Sequence, residues 1–129
     1  MDLGWYNTLN KPSFTPPSWL FGPVWTTLYI LIAISGFLIW KKRKKFNIHK
    51  AMRLYFIQLV LNLIWTPIFF GLHQMFLGLI IILVMWYFIY KTIRAFEKID
   101  RVAAYFLLPY ISWVSVATLL NASVWLFNQ

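Results

Sequence analysis

The stretch Met75-Phe76-Leu77-Gly78-Leu79-Ile80-Ile81-Ile82-Leu83-Val84-Met85-Trp86-Tyr87-Phe88-Ile89-Tyr90 carries no charge, and the apolar character runs on past Lys91 to Ala95. At 1.5 Å per residue, a helix over 75–95 is about 31 Å long, enough to cross a hydrocarbon core of roughly 30 Å. A barrel strand would be half that length and would alternate in polarity. In lipid the backbone must satisfy its own amides, so the stretch reads as a spanning helix. Three more apolar stretches of similar length lie at about 19–40, 52–71 and 102–127. The expected fold is an all-α membrane protein: one domain over 1–129, a bundle of four transmembrane helices, with residues 1–17 as an extramembrane segment.

Composition excludes the alternatives. Of 129 residues, 61% are hydrophobic and only 12% are charged, against roughly 45–50% and 25% in soluble domains. A chain this short leaves much of its surface in contact with solvent, so that solvent has to be lipid. The net charge of +9 comes from 12 Lys and Arg against 3 Asp and Glu. In a soluble domain it would suggest nucleic acid; beside helix ends it reads as loop charge facing headgroups, and no nucleic-acid partner is expected. With no cysteine, disulfides and thiolate chemistry are excluded. No cleavable signal peptide is expected either, since residues 1–11 lack a basic start followed by an apolar run.

The edges are punctuated. Pro16-Pro17-Ser18 precedes the first stretch, with Ser18 a candidate N-cap, and Lys41-Lys42-Arg43-Lys44-Lys45 closes it. Gly71-Leu72-His73-Gln74 reads as a tight turn, and Glu97-Lys98-Ile99-Asp100-Arg101 separates the last two spans. Pro67 and Pro109 lie inside spans, where each frees a carbonyl and is expected to kink its helix. Lys41, Lys42, Arg43, Lys44, Lys45, Lys50, Arg53, Lys91, Arg94, Lys98 and Arg101 all flank two of the loops, leaving Lys11 alone on the other side. That asymmetry predicts a multi-pass protein with both basic loops in the cytoplasm and both termini outside.

The only acids are Asp2, Glu97 and Asp100, none within a span. Proton-coupled antiport through an embedded carboxylate, and carboxylate acid–base catalysis inside the bundle, have no candidate residue. His49 and His73 have no neighbouring ligand set, so no metal site is expected. What the spans do contain is amide, hydroxyl and indole. Trp25 and Tyr29 are one turn apart, as are Gln58 and Asn62, with Trp65 three residues further. Tyr110, Trp113, Ala117 and Asn121 recur close to one helix face. Asn as helix glue and Trp as interfacial belt explain each residue singly. Together, three indoles each beside a polar group on its own face suit a large, flat, mostly apolar ligand.

These residues also carry a resemblance. Trp5-Tyr6, Leu9-Asn10-Lys11-Pro12-Ser13-Phe14-Thr15-Pro16-Pro17 and Phe21-Gly22-Pro23-Val24-Trp25-Thr26-Thr27-Leu28-Tyr29 resemble the tryptophan-rich sensory protein and translocator protein family. Leu61-Asn62-Leu63-Ile64-Trp65-Thr66-Pro67-Ile68-Phe69-Phe70-Gly71 is similar to its next signature. Leu108-Pro109-Tyr110-Ile111-Ser112-Trp113, then Ala117-Thr118-Leu119-Leu120-Asn121 and Val124-Trp125, are similar to its last. The resemblance implies porphyrins, haem-like tetrapyrroles or other hydrophobic small molecules as ligands, with no cofactor required. It implicates Trp25, Asn62, Trp65, Trp113 and Ala117 in the site, and the 5–17 segment, with Trp5, Lys11 and Pro12, as a lid. The family norm is five helices, the first lying before the Trp-Tyr pair, so the chain is expected to lack that helix. Phe14 stands where the family has Trp, and Leu77 and Ile81 replace a family Trp and acid. Leu120-Asn121-Ala122-Ser123-Val124-Trp125-Leu126 lacks the Tyr and Arg of the vertebrate cholesterol motif, although Val84, Tyr87 and Lys91 fit its loose form.

Three function classes follow. The first is a tetrapyrrole-binding membrane protein acting in sensing, transport or stress response. The second is a light-dependent porphyrin-degrading enzyme using Trp25 and Trp113, and the third a membrane scaffold with a vestigial pocket. Membrane lipid and a second copy of the chain are the expected partners, with Ala33, Gly36, Thr118 and Ala122 as close-approach positions for a homodimer.

Overall fold

The computed structural model describes residues 21–71 and 75–127, and every regular element among them is helical. Helix α1 covers Phe21–Trp40. Helix α2 covers His49–Thr66 and continues into a π-helical turn at Pro67–Gly71. Helix α3 covers Met75–Glu97, and the last span is divided into α4, Arg101–Phe106, and α5, Leu108–Phe127. Four segments are long and apolar enough to cross a membrane: Gly22–Trp40, His49–Phe69, Met75–Glu97 and Arg101–Phe127. The helices run a little past the apolar stretches at the basic end. Lys50 and Arg53 are helical because long cationic side chains can reach the headgroups from within a helix. Ser18, His73 and Gln74 fall outside the described residues.

Both prolines mark breaks. At Pro67 the missing amide and the ring's clash with the preceding turn open the α-helical ladder into the π turn. Just ahead of Pro109 the ladder tightens instead: Leu107 N–H donates to the Ala104 carbonyl at 3.0 Å, separating α4 from α5. Asp100 caps α4, its carboxylate accepting from Val102 N–H at 3.0 Å.

The inward faces keep a spacing of three and four residues. Ala51, Tyr55, Gln58, Asn62, Trp65 and Phe69 are the buried positions of the second span, and Gly78, Ile82, Met85, Ile89, Ile93 and Phe96 lie on the buried face of α3. That seam is the pattern of left-handed helix pairs. Helix α3 is central, packed along both α2 and α5; α1 leans on α4 and makes little backbone contact with α2. Large apolar side chains point outward on every span: Phe37 is 57% exposed, Leu63 59%, Leu83 51% and Leu119 61%. That is the distribution expected of a bundle solvated by lipid.

Lipid tails are as apolar as leucine, so close packing and buried hydrogen bonds hold such a bundle. At the basic end Ser35 Oγ donates to the Ala103 carbonyl at 2.8 Å, and Lys42 reaches Asp100 at 3.5 Å, tying α1 to α4. At Gly36 a Cβ would sit 2.6 Å from both Cζ and Oη of Tyr55. That ring cannot step aside freely: its hydroxyl donates to the Ile32 carbonyl at 2.9 Å and it stacks on Phe96 at 5.7 Å. Gly36→Ala should therefore destabilise the bundle by about 1–3 kcal/mol, read by SDS-titrated unfolding of the reconstituted protein. A wild-type midpoint would mean the two helices do not approach this closely. Gly36 is thus filled from within the chain by Tyr55, whereas Ala33 is exposed and Thr118 and Ala122 are half-buried.

Candidate functional site

Between α1 and its neighbours the gap is filled by rings. Trp25 lies at the centre, only 6% exposed. Its ring centroid is 5.9 Å from Tyr29 one turn along α1, 6.2 Å from Trp65 of α2, and 6.4 Å from Trp113 of α5, the last nearly edge-on at 87°. These separations are those of favourable aromatic pairs. Trp65 also stacks on Phe69 at 5.3 Å and 15°, so the π turn after Thr66 supplies one wall. Trp113 and Tyr29 are half-buried and form the edge of the cluster.

Beneath the indoles runs a continuous relay of hydrogen bonds. Tyr29 hydroxyl donates to Asn62 Oδ1 at 2.5 Å, and Asn62 Nδ2 donates to the Tyr110 hydroxyl at 2.8 Å. Tyr110 in turn donates to Gln58 Oε1 at 2.7 Å, and Gln58 Nε2 ends the relay on the Tyr55 carbonyl at 2.8 Å. Met85 Sδ lies 4.0 Å from the same Tyr110 hydroxyl. Every donor and acceptor here is buried or half-buried, which is the condition under which a fully satisfied network fixes side-chain positions. A second, shorter network lies beside it: Trp65 Nε1 donates to Asn121 Oδ1 at 3.2 Å, and Asn121 Nδ2 donates to the Met75 carbonyl at 2.8 Å. Gly78 makes room for it, since a Cβ there would lie 3.1 Å from Asn121 Oδ1 and 3.3 Å from Phe69.

Trp25, Tyr29, Asn62, Trp65, Tyr110, Trp113 and Asn121 are thus brought into one connected cluster. Ala117 is buried on the same face of α5, one turn from both Trp113 and Asn121. The proposed lid residues Trp5, Lys11 and Pro12 lie outside the described residues. Sequence reasoning did not assign Tyr55, Gln58, Phe69 or Met85 to the site. For the first three a signal existed, because they share the three-and-four spacing of Asn62 and Trp65. Trp86 belongs elsewhere: its Nε1 donates to Ser115 Oγ at 2.8 Å, pinning α3 to α5.

The described residues contain no group of three or more His, Cys, Asp or Glu able to hold a metal ion. The cluster offers aromatic faces, one phenol at its edge and carboxamides held in place. An arrangement of that kind suits stacking and orienting a ligand with few polar points.

A multi-pass helical bundle with an indole-lined cluster between its first span and the rest defines a class of membrane protein. The TspO/MBR family model matches residues 1–126, and the chain belongs to that family of membrane sensory and translocator proteins. It is 41% identical to the human translocator protein over 130 residues, covering 98% of this chain and 76% of that protein. It is 40% identical to the tryptophan-rich protein TspO of Chlorobaculum tepidum, covering 96% and 79% of the two chains. With the tryptophan-rich sensory protein of Cereibacter sphaeroides it shares 38% identity over 91% and 72%.

Proposed function

We propose that the cluster around Trp25 binds a tetrapyrrole, a porphyrin or haem-like macrocycle, and that the protein senses or carries it in a transport or stress response. The observation that carries this reading is the convergence of Trp25, Trp65 and Trp113 from three different spans, each ring within 6.4 Å of Trp25. A macrocycle is flat, polarizable and apolar except at its rim, so it gains most from several ring faces and few polar contacts. Trp113, at the edge, is the residue to stack on it. Asn62 is engaged by Tyr29 and Tyr110, so its role is to hold the Tyr29 phenol at the edge, where that hydroxyl meets the ligand. Lys11 is the one basic residue outside the two basic loops, and it is the proposed partner of a propionate. Titrating protoporphyrin into the purified protein in detergent tests the reading, with quenching of tryptophan fluorescence as the signal. Saturable quenching with unchanged Soret absorbance under light and in the dark is the expected result. Bleaching under light alone would favour degradation, for which Trp25 and Trp113 are the contacting indoles; no binding at all would favour a scaffold.

The orientation follows from charge: both termini outside, the basic loops around 41–50 and 96–101 in the cytoplasm. A single cysteine at Asn47 should be protected from an impermeant thiol reagent in intact cells, and one at Gln74 labelled. The reverse pattern would invert the topology. A homodimer formed through Ala33, Thr118 and Ala122 is part of the same reading. Light scattering in mild detergent should give twice the chain mass; a monomer mass at all concentrations would remove the dimer.

A further inference from the structure

At the basic end of the bundle, α2 and α3 enclose a groove of about 390 Å³. Its rim is cationic: Lys50 from the first turn of α2, and Lys91, Arg94 and Lys98 along one side of α3 and just beyond it. Its floor is apolar, with Leu54 from α2 and Phe88 from α3. Glu97 is the acid nearest this rim in the sequence, and it pairs with Arg94 at 3.2 Å. The other acid of the region, Asp100, is held by Lys42 and by the cap of α4. The three lysines of the rim therefore have no carboxylate assigned to them among the described ion pairs, and Lys91 lies 5.6 Å over the Tyr87 ring.

We propose that this groove is a binding site for the headgroup of an anionic phospholipid. Three features converge on that occupant. The rim supplies the charges of Lys50, Lys91 and Lys98 to a phosphate diester, with Arg94 beside them already engaging Glu97 through its Nε. Along α3 the groove is followed by Tyr87 and Val84, both exposed on the outer surface, which offer an acyl chain an apolar path away from the rim. The groove also lies where two spans end, at the depth of headgroups, and basic pockets between transmembrane helices are a recurrent form of such recognition. A free inorganic phosphate would use the rim and leave Leu54 and Phe88 uncovered. The site is at the opposite end of α2 from Trp65, and it does not depend on what the aromatic cluster binds.

The test is native mass spectrometry of the full chain released from micelles doped with phosphatidylglycerol or phosphatidylcholine. Wild type should retain one phosphatidylglycerol per chain and no phosphatidylcholine. Near an anionic surface each lysine is worth about fivefold in binding. The triple variant Lys50→Gln, Lys91→Gln, Lys98→Gln should accordingly weaken retention by about a hundredfold. The matched variant Lys41→Gln, Lys44→Gln, Lys45→Gln removes the same charge outside the groove and should stay within about threefold of wild type. Unchanged helical circular dichroism verifies that both variants fold. Equal losses in the two variants would mean diffuse attraction to charge, and equal retention of both lipids would mean no headgroup selection; either overturns the site. Displacement of the lipid by millimolar inorganic phosphate would overturn the choice of a lipid.

Discussion

Trp113→Ala should weaken protoporphyrin binding by more than tenfold, while Trp113→Phe should weaken it by less than tenfold. An aromatic stack contributes about 0.5–1.5 kcal/mol beyond area burial, and about 1.4 kcal/mol is a factor of ten. Phe keeps a ring at the edge of the cluster and loses only part of that term. Ala loses the ring and the covered area together, at about 25 cal/mol per Å². The area term is reduced here because detergent or lipid competes for the same apolar faces, so tenfold is the lower bound rather than the full transfer value. Trp25→Ala should be at least as damaging, and it should also lower the unfolding midpoint, since Trp25 touches Tyr29, Trp65 and Trp113 at once. Trp40 is the control: it is at the basic end, 48% exposed, with Arg43 stacked on it at 3.4 Å. Trp40→Phe should leave affinity unchanged in the same fluorescence titration.

Tyr110→Phe should destabilise the bundle by about 1–3 kcal/mol, more than any other single-atom deletion in the relay. The Tyr110 hydroxyl is fully buried and is the one atom that both accepts from Asn62 and donates to Gln58. Side-chain hydrogen bonds between membrane helices average only about 0.6 kcal/mol, because the unfolded chain in lipid also finds partners. Removing this hydroxyl exceeds that average by leaving two buried carboxamides short of a partner in the folded state. Tyr29→Phe removes one bond from a half-buried position and should cost about 0.6 kcal/mol or less. Adding Gln58→Leu to Tyr110→Phe should restore part of the loss, since replacing both partners by apolar groups is close to neutral. SDS-titrated unfolding of the four proteins measures this. Equal effects of Tyr110→Phe and Tyr29→Phe would mean that the relay does not turn on Tyr110.

What could be read from the residues was what stood out against an apolar background. Asn62, Asn121 and the three cluster tryptophans are conspicuous because amides and indoles are few in spans built of leucine and isoleucine, and because they recur together where helix glue or an interfacial belt would explain only one at a time. Helical spacing then put Trp25 with Tyr29, and Tyr110 with Trp113 and Asn121, on shared faces. Spacing within one helix fixes neither its rotation nor its depth against the next, so partners across helices were not legible. Nothing in the chain says that Trp65 donates to Asn121 rather than to Asn62, or that Trp86 pairs with Ser115. Phe69 kept the spacing of Asn62 and Trp65, yet one phenylalanine among twelve does not stand out, and only the π turn shows it stacked on Trp65. Gln58 stood one turn before Asn62, where an amide reads equally well as helix glue, and Tyr55 only continued that spacing. The groove at the basic end was hidden for another reason: Lys50, Lys91 and Lys98 were already explained as topology signals, and only the packing of α2 on α3 brings them to one rim.

Photo-crosslinking places the ligand most directly. A protoporphyrin analogue bearing a diazirine on the macrocycle, bound to the full chain and irradiated, should mark Trp25, Trp65, Trp113 or Tyr29, with competition by unmodified protoporphyrin abolishing the marks. Competable marks confined to Trp40, Trp86 or the groove between α2 and α3, with the Trp25 cluster untouched, would contradict a tetrapyrrole site within the bundle.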